Sequence, residues 1–128
     1  MEDNTRPPAV AGAFYPADPA RLRAEVEGLL AAARPPAVPP PAALIVPHAG
    51  YAYSGPVAAT AYAALLATRP APARVVMVGP AHFVPFDGLA LPGAAALRTP
   101  LGEVLVDRPG EERALRLPGV TVSAAAHA

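Results

Sequence analysis

Two aliphatic runs, Ala43-Leu44-Ile45-Val46 and Val75-Val76-Met77-Val78, constrain this chain more than any other feature. Neither alternates apolar with polar residues, so each reads as a strand buried on both faces. Between them, residues 56–68 carry apolar positions at helical spacing around Val57, Ala61 and Leu65, with Ser54 placed as the N-cap. Strand, loop, helix, strand is the order of a βαβ unit with a right-handed crossover. The expected architecture is α/β, a parallel-type sheet flanked by helices.

An earlier helix opens at Asp18-Pro19, where the carboxylate suits the N-cap and proline the first helical position. Leu22, Val26, Leu29, Leu30 and Ala33 then share one face, and Pro35-Pro36 ends the helix. Five prolines in residues 35–41 make a stiff extended connector. Phe14-Tyr15-Pro16 reads as a hydrophobic anchor that fixes how the chain enters this helix. Further on, residues 89–91 and 104–106 look like short strands, and residues 111–116 like a brief helix.

Composition removes several functions. All ten basic residues are Arg and ten carboxylates balance them, so no field draws the chain to nucleic acid or an anionic membrane. There is no Cys, hence no disulfide framework, zinc ribbon or thiol nucleophile in these residues. No apolar run is long enough to span a bilayer, and the acidic start, Met1-Glu2-Asp3, is unlike a signal peptide. The expectation is a soluble, cytoplasmic protein.

The chemistry-bearing residues are placed at strand ends. His48 lies just past the first aliphatic run and His82 four residues past the second, each in a loop framed by proline and glycine. If the runs are neighbouring parallel strands, both imidazoles emerge at the carboxyl edge of the sheet, where open α/β folds bind ligands. Two imidazoles there suit a shared metal ion, although a lone loop histidine is more often plain surface. A third ligand is needed, and Asp87, Asp107 and His127 qualify by type alone. Tyr51 and Tyr53, beside Ser54, suit a substrate or peptide pocket, or else one ring packs on the sheet while Ser54 caps the helix. No nucleophile elbow, phosphate-binding loop or dinucleotide glycine fingerprint occurs.

Arg6-Pro7 with Ala11-Gly12-Ala13-Phe14-Tyr15-Pro16-Ala17-Asp18 resembles the opening of the Memo family, also called AmmeMemoRadiSam system protein B. Pro47-His48-Ala49-Gly50-Tyr51-Ala52-Tyr53-Ser54-Gly55 is similar to its signature loop. Gly79-Pro80-Ala81-His82 and Thr99-Pro100-Leu101-Gly102 resemble two further family segments, in the same order. The resemblance implies a fold similar to the catalytic subunit of class III extradiol dioxygenases, and it matches His48 and His82 to the two histidines of the family's metal site, for iron or copper. Family chains are longer, so residues 1–128 would be the N-terminal part of a single Memo-like α/β domain whose C-terminal part, with the third metal ligand, is absent. The resemblance also implies radical-SAM and AMMECR-type proteins as partners, in a redox modification pathway. The alternatives are a non-haem iron extradiol-type dioxygenase and a non-catalytic peptide-binding module, and whether the chain is an enzyme stays open.

Overall fold

The computed structural model describes residues 4–39, 41–67 and 70–127. The element order is β1 (Thr5–Arg6), α1 (Pro19–Ala32), α2 (Tyr51–Leu66), β2 (Leu89–Leu91), β3 (Ala96–Thr99), β4 (Gly102–Leu105), α3 (Arg108–Ala114) and β5 (Val120–Val122), closed by a 3₁₀ turn at Ala125–His127. The chain divides into two compact units, Val10–Val75 and a second made of Met1–Ala9 with Val76–Ala128. It is a mixed α/β protein with small sheets.

In the unit Val10–Val75, α1 starts as its sequence dictates. The Asp18 carboxylate accepts from the Arg21 amide at 2.8 Å, satisfying one of the orphan donors of the first turn. Leu22 is the buried anchor, while Val26, Leu29, Leu30 and Ala33 are half-buried and Arg21, Arg23 and Glu27 exposed. At the other end the Arg34 guanidinium donates to the Ala32 and Ala33 carbonyls, where a cation also complements the helix dipole.

The second helix differs from expectation at its start and on its packed face. It begins at Tyr51, three residues before Ser54, and Gly50 stands at the N-cap with no side-chain bond. The Tyr51 amide is satisfied from outside the helix, donating to the Phe14 carbonyl at 2.8 Å. Ser54 therefore lies inside α2, buried, with its hydroxyl donating back to the Ala49 carbonyl at 2.8 Å. Pro56 also sits inside, so no amide is available there for the Ala52 carbonyl. The buried positions are Ser54, Gly55 and Ala59, whereas Val57 is 64% exposed. Small residues win that face because α1 comes close: a Cβ on Gly55 would stand 3.0 Å from Leu29 Cδ1. The expected helix end at Thr68 lies outside the described residues.

Neither aliphatic run forms a strand. Ile45 is fully exposed, and Val75, Val76, Met77 and Val78 are exposed at 72–84%. A non-alternating run is buried only when strands pair along its edges and other elements cover both faces. Among the described residues no strand pairs with either run, so the expected βαβ unit is not formed.

The second unit is built from short strands. β1 pairs parallel with β3 (Thr5 opposite Ala96), and β3 pairs antiparallel with β4 (Ala96 opposite Leu105). The turn between them is Thr99-Pro100-Leu101-Gly102, in which the Thr99 hydroxyl accepts from the Leu101 amide and donates to the Gly102 carbonyl, both at 3.1 Å. β2 pairs parallel with β5, and Gly88 and Gly119, both at positive φ, let the two backbones meet. A Cβ on Gly88 would fall 2.0 Å from the Gly119 carbonyl oxygen. Ala94 and Ala96 are the buried core of this unit. The Arg6 guanidinium donates to the His127 carbonyl through Nε and Nη2, and the His127 ring bonds the Ala90 carbonyl at 2.9 Å, which ties the 3₁₀ turn to β1 and β2. The short strands expected near residues 90 and 104 are present, and the brief helix starts earlier than expected, at Arg108. No helix among the described residues is long and apolar enough to cross a membrane.

Candidate functional site

One concavity in the unit Val10–Val75 grows from a tight turn. The Val10 carbonyl accepts from the Ala13 and Phe14 amides, and the Gly12 amide donates to the Tyr15 carbonyl at 2.7 Å. Gly12 takes φ +85°, a conformation that glycine adopts at no steric cost. The turn presents the Phe14 carbonyl to the first amide of α2, and Gly50 fits beside it because a Cβ there would approach that oxygen to 3.3 Å. The anchor expected at Phe14-Tyr15-Pro16 therefore fixes α2 as well as α1.

This seat brings Tyr51 against Tyr15, ring centroids 5.6 Å apart and planes tilted by 42°. Around the pair lies a half-open groove of about 440 Å³, walled by the turn, by Asp18, Arg21 and Glu25 at the start of α1, and by Tyr51 and Ala52. Burial raises the Tyr51 phenol above its ordinary 10.0, and repulsion from Tyr15, Tyr62 and Glu25 adds to it. The phenol is therefore a standing hydrogen-bond donor at neutral pH.

The other residues singled out by sequence are distributed as follows. Tyr53 is 87% exposed and does not line the groove. Ser54 supports the segment ahead of α2 through Ala49. His48 is exposed, two residues before the Gly50 N-cap. His82 is exposed in the second unit, its ring 6.3 Å from that of Phe83. The sheet-edge argument for bringing the two imidazoles together loses its basis, because neither preceding run is a strand. Of the possible third ligands, Asp87 is exposed, Asp107 stands at the N-cap of α3, and His127 bonds Ala90.

Among the described residues no group of three or more His, Cys, Asp or Glu is gathered as a metal site would need. Two imidazoles are the right donors for iron or copper, but two do not complete a site. Tyr15, Arg21 and Glu25 were not legible as site residues. Their signal is the spacing of Arg21 and Glu25, one helical turn apart, just after an aromatic anchor.

Comparison with known proteins bears on the whole of this arrangement. The family model for Memo-like protein matches residues 6–125. The chain belongs to the Memo-like family. A MEMO1 family protein of Methanothermobacter thermautotrophicus is 40% identical over 122 residues, covering 90% of this chain and 44% of the relative. One from Sulfolobus acidocaldarius is 44% identical over 113 residues, covering 80% and 39%. Protein MEMO1 of Danio rerio is 42% identical over 100 residues, covering 77% and 32%. The chain thus spans less than half the length of these curated relatives. The Memo-like match takes in both histidine-bearing loops and the whole tyrosine groove.

Proposed function

We propose that this Memo-like chain serves metal chemistry, with His48 and His82 as two of the ligands to an iron or copper ion. The observation that carries the reading is the family match over residues 6–125, which includes both loops. On this reading the chain is the N-terminal part of a single α/β domain of the extradiol-dioxygenase type, acting in the cytoplasm, and the third ligand comes from outside residues 1–128. A bound iron or copper would supply redox and Lewis-acid chemistry. This chain's own residues would hold the ion through neutral imidazole nitrogens and offer the Tyr51 phenol as a proton-bearing donor to a substrate in the groove. Partners of radical-SAM and AMMECR type fit a redox modification pathway.

The test is anaerobic titration of Fe(II) and Cu(II) into this chain and into a version of family length. One ion per family-length chain, lost in His48→Ala and in His82→Ala, supports the reading. Undiminished uptake in those variants overturns it. Binding should weaken from pH 7.5 to pH 5.5, since imidazole must be neutral to ligate. The tyrosine groove favours a second reading, a peptide-binding module that needs no metal, and partner binding retained in the double-histidine variant would support it.

A further inference from the structure

The groove between residues 12–18 and the two helices has a charge pattern that selects its occupant. We propose that it is a recognition site for an alkylammonium or guanidinium group, carried by a free amine or by a peptide side chain. The site is made of the Tyr15 and Tyr51 rings with the carboxylates of Glu25 and Asp18. The proposal rests on the binding reading of the groove and is independent of the metal.

Three observations support it. Tyr15 and Tyr51 both line the groove, their ring centroids 5.6 Å apart and their planes tilted by 42°. A ring face attracts a cation through its quadrupole, so two aromatic rings on the wall of a groove favour a cationic head over an anionic one. Glu25, on α1, also lines the groove and carries no hydrogen bond or ion pair among the described residues. Arg21 lies one helical turn away on the same helix, yet the two do not close a salt bridge.

Asp18 uses one oxygen to cap α1 and brings a second negative charge to the same wall. Two carboxylates against one guanidinium leave the groove net negative. A phosphate or carboxylate ligand would meet that repulsion, whereas an ammonium would meet aromatic rings and an excess of carboxylate over guanidinium. The volume, about 440 Å³, admits a cationic head with its alkyl stem and sits at the small end of ligand sites.

The experiment is an NMR titration of the chelator-treated chain, so that a failed metal site cannot affect the result. The probes are tetramethylammonium, butylammonium and a blocked Gly-Lys-Gly peptide, with tert-butanol as the neutral control and butyrate as the anionic one. Saturable shifts of the Tyr15 and Tyr51 ring resonances by the ammonium probes, and not by the controls, are expected. Stronger binding of the peptide than of butylammonium identifies a side chain as the source, and the reverse identifies a free amine.

Glu25→Gln should weaken binding roughly tenfold, and Tyr51→Leu by a similar factor. Tyr51→Phe, which keeps the ring and loses only the hydroxyl, should stay within about threefold. Because Tyr51 opens α2, the Phe and Gln variants keep the test valid should the Leu variant disturb the fold. The proposal is overturned if the ammonium probes do not bind, if butyrate binds as well as butylammonium, or if Glu25→Gln leaves affinity unchanged.

Discussion

The groove has walls on both α1 and α2, which pack closely at Gly55, so that position offers a graded test. Three substitutions separate the contributions. At Gly28, in the middle of α1, an added Cβ meets nothing within 4 Å. Gly28→Ala should therefore express the helix preference of alanine over glycine alone, a gain of about 0.8–1 kcal/mol. At Gly55 the same preference applies, but the new methyl lies 3.0 Å from Leu29 Cδ1 and 3.6 Å from Tyr51 Cβ. The Leu29 tip must rotate away, and off-rotamer side chains cost about 0.5–1.5 kcal/mol. Gly55→Ala should come out within about 0.5 kcal/mol of the starting protein, the two contributions cancelling.

Gly55→Leu has no such escape. Overpacking costs about 1–3 kcal/mol and a propensity gain of about 0.8 kcal/mol offsets part of it, leaving a net loss of up to about 2 kcal/mol. With a urea slope of about 1 kcal/mol/M, expected for a small folding unit, the midpoint should fall by up to about 2 M. Far-UV circular dichroism during urea unfolding reads all three variants, and the ammonium titration reads the groove in the folded proteins. Gly55→Leu should also weaken the groove, since Glu25 and Tyr51 stand on the two helices it pushes apart. The reasoning fails if Gly55→Leu matches Gly28→Ala in stability, because Gly55 would then face open space.

Other consequences are simpler to check. The raised Tyr51 phenol binds its proton more tightly in the folded chain than in the unfolded one, so stability is intact below pH 10 and falls as pH rises through the folded value. Tyr51→Phe should flatten that alkaline loss, as followed by thermal melts between pH 8 and pH 11. Gly88→Ala places a methyl against the Gly119 backbone oxygen and forces a side chain into positive φ, so about 3 kcal/mol or more should be lost, with faster hydrogen exchange at the Leu89 amide. The Arg98–Glu103 pair spans 2.7 Å, but both side chains are over 40% exposed, so Arg98→Gln should cost under about 1 kcal/mol in urea unfolding.

What the sequence revealed of this fold depended on the range of the interactions. Asp18-Pro19 marked the start of α1 correctly because a cap and its amide lie within four residues of each other. The local signal puts the start of α2 at Ser54, whereas its true support, the Phe14 carbonyl, arrives from 37 residues away and leaves no local mark. The runs at residues 43–46 and 75–78 announce a need for cover, but an apolar run carries no information about whether cover is present. β1, β3 and β5 are two to four residues long, below the length at which alternation can be read. The site divided along the same lines. Tyr51 was legible from its loop, while Tyr15, Arg21 and Glu25 joined it only through packing.

The bond between Arg6 and His127 joins residues 121 apart, and β1 finds its partner in Ala96-Leu97. On a ribosome adding about 5–20 residues each second, the first strand waits roughly 6–24 s before the turn it grips has been made. The segment Val10–Val75, by contrast, is contiguous and draws all its internal contacts from residues already synthesised. Birth order therefore makes the contacts of the helical pair that carries the tyrosine groove available before those that tie down β1. The amino-terminal strand stays unpaired until Ala96-Leu97 have been made, and the Arg6 guanidinium meets its carbonyl only once His127 has been joined.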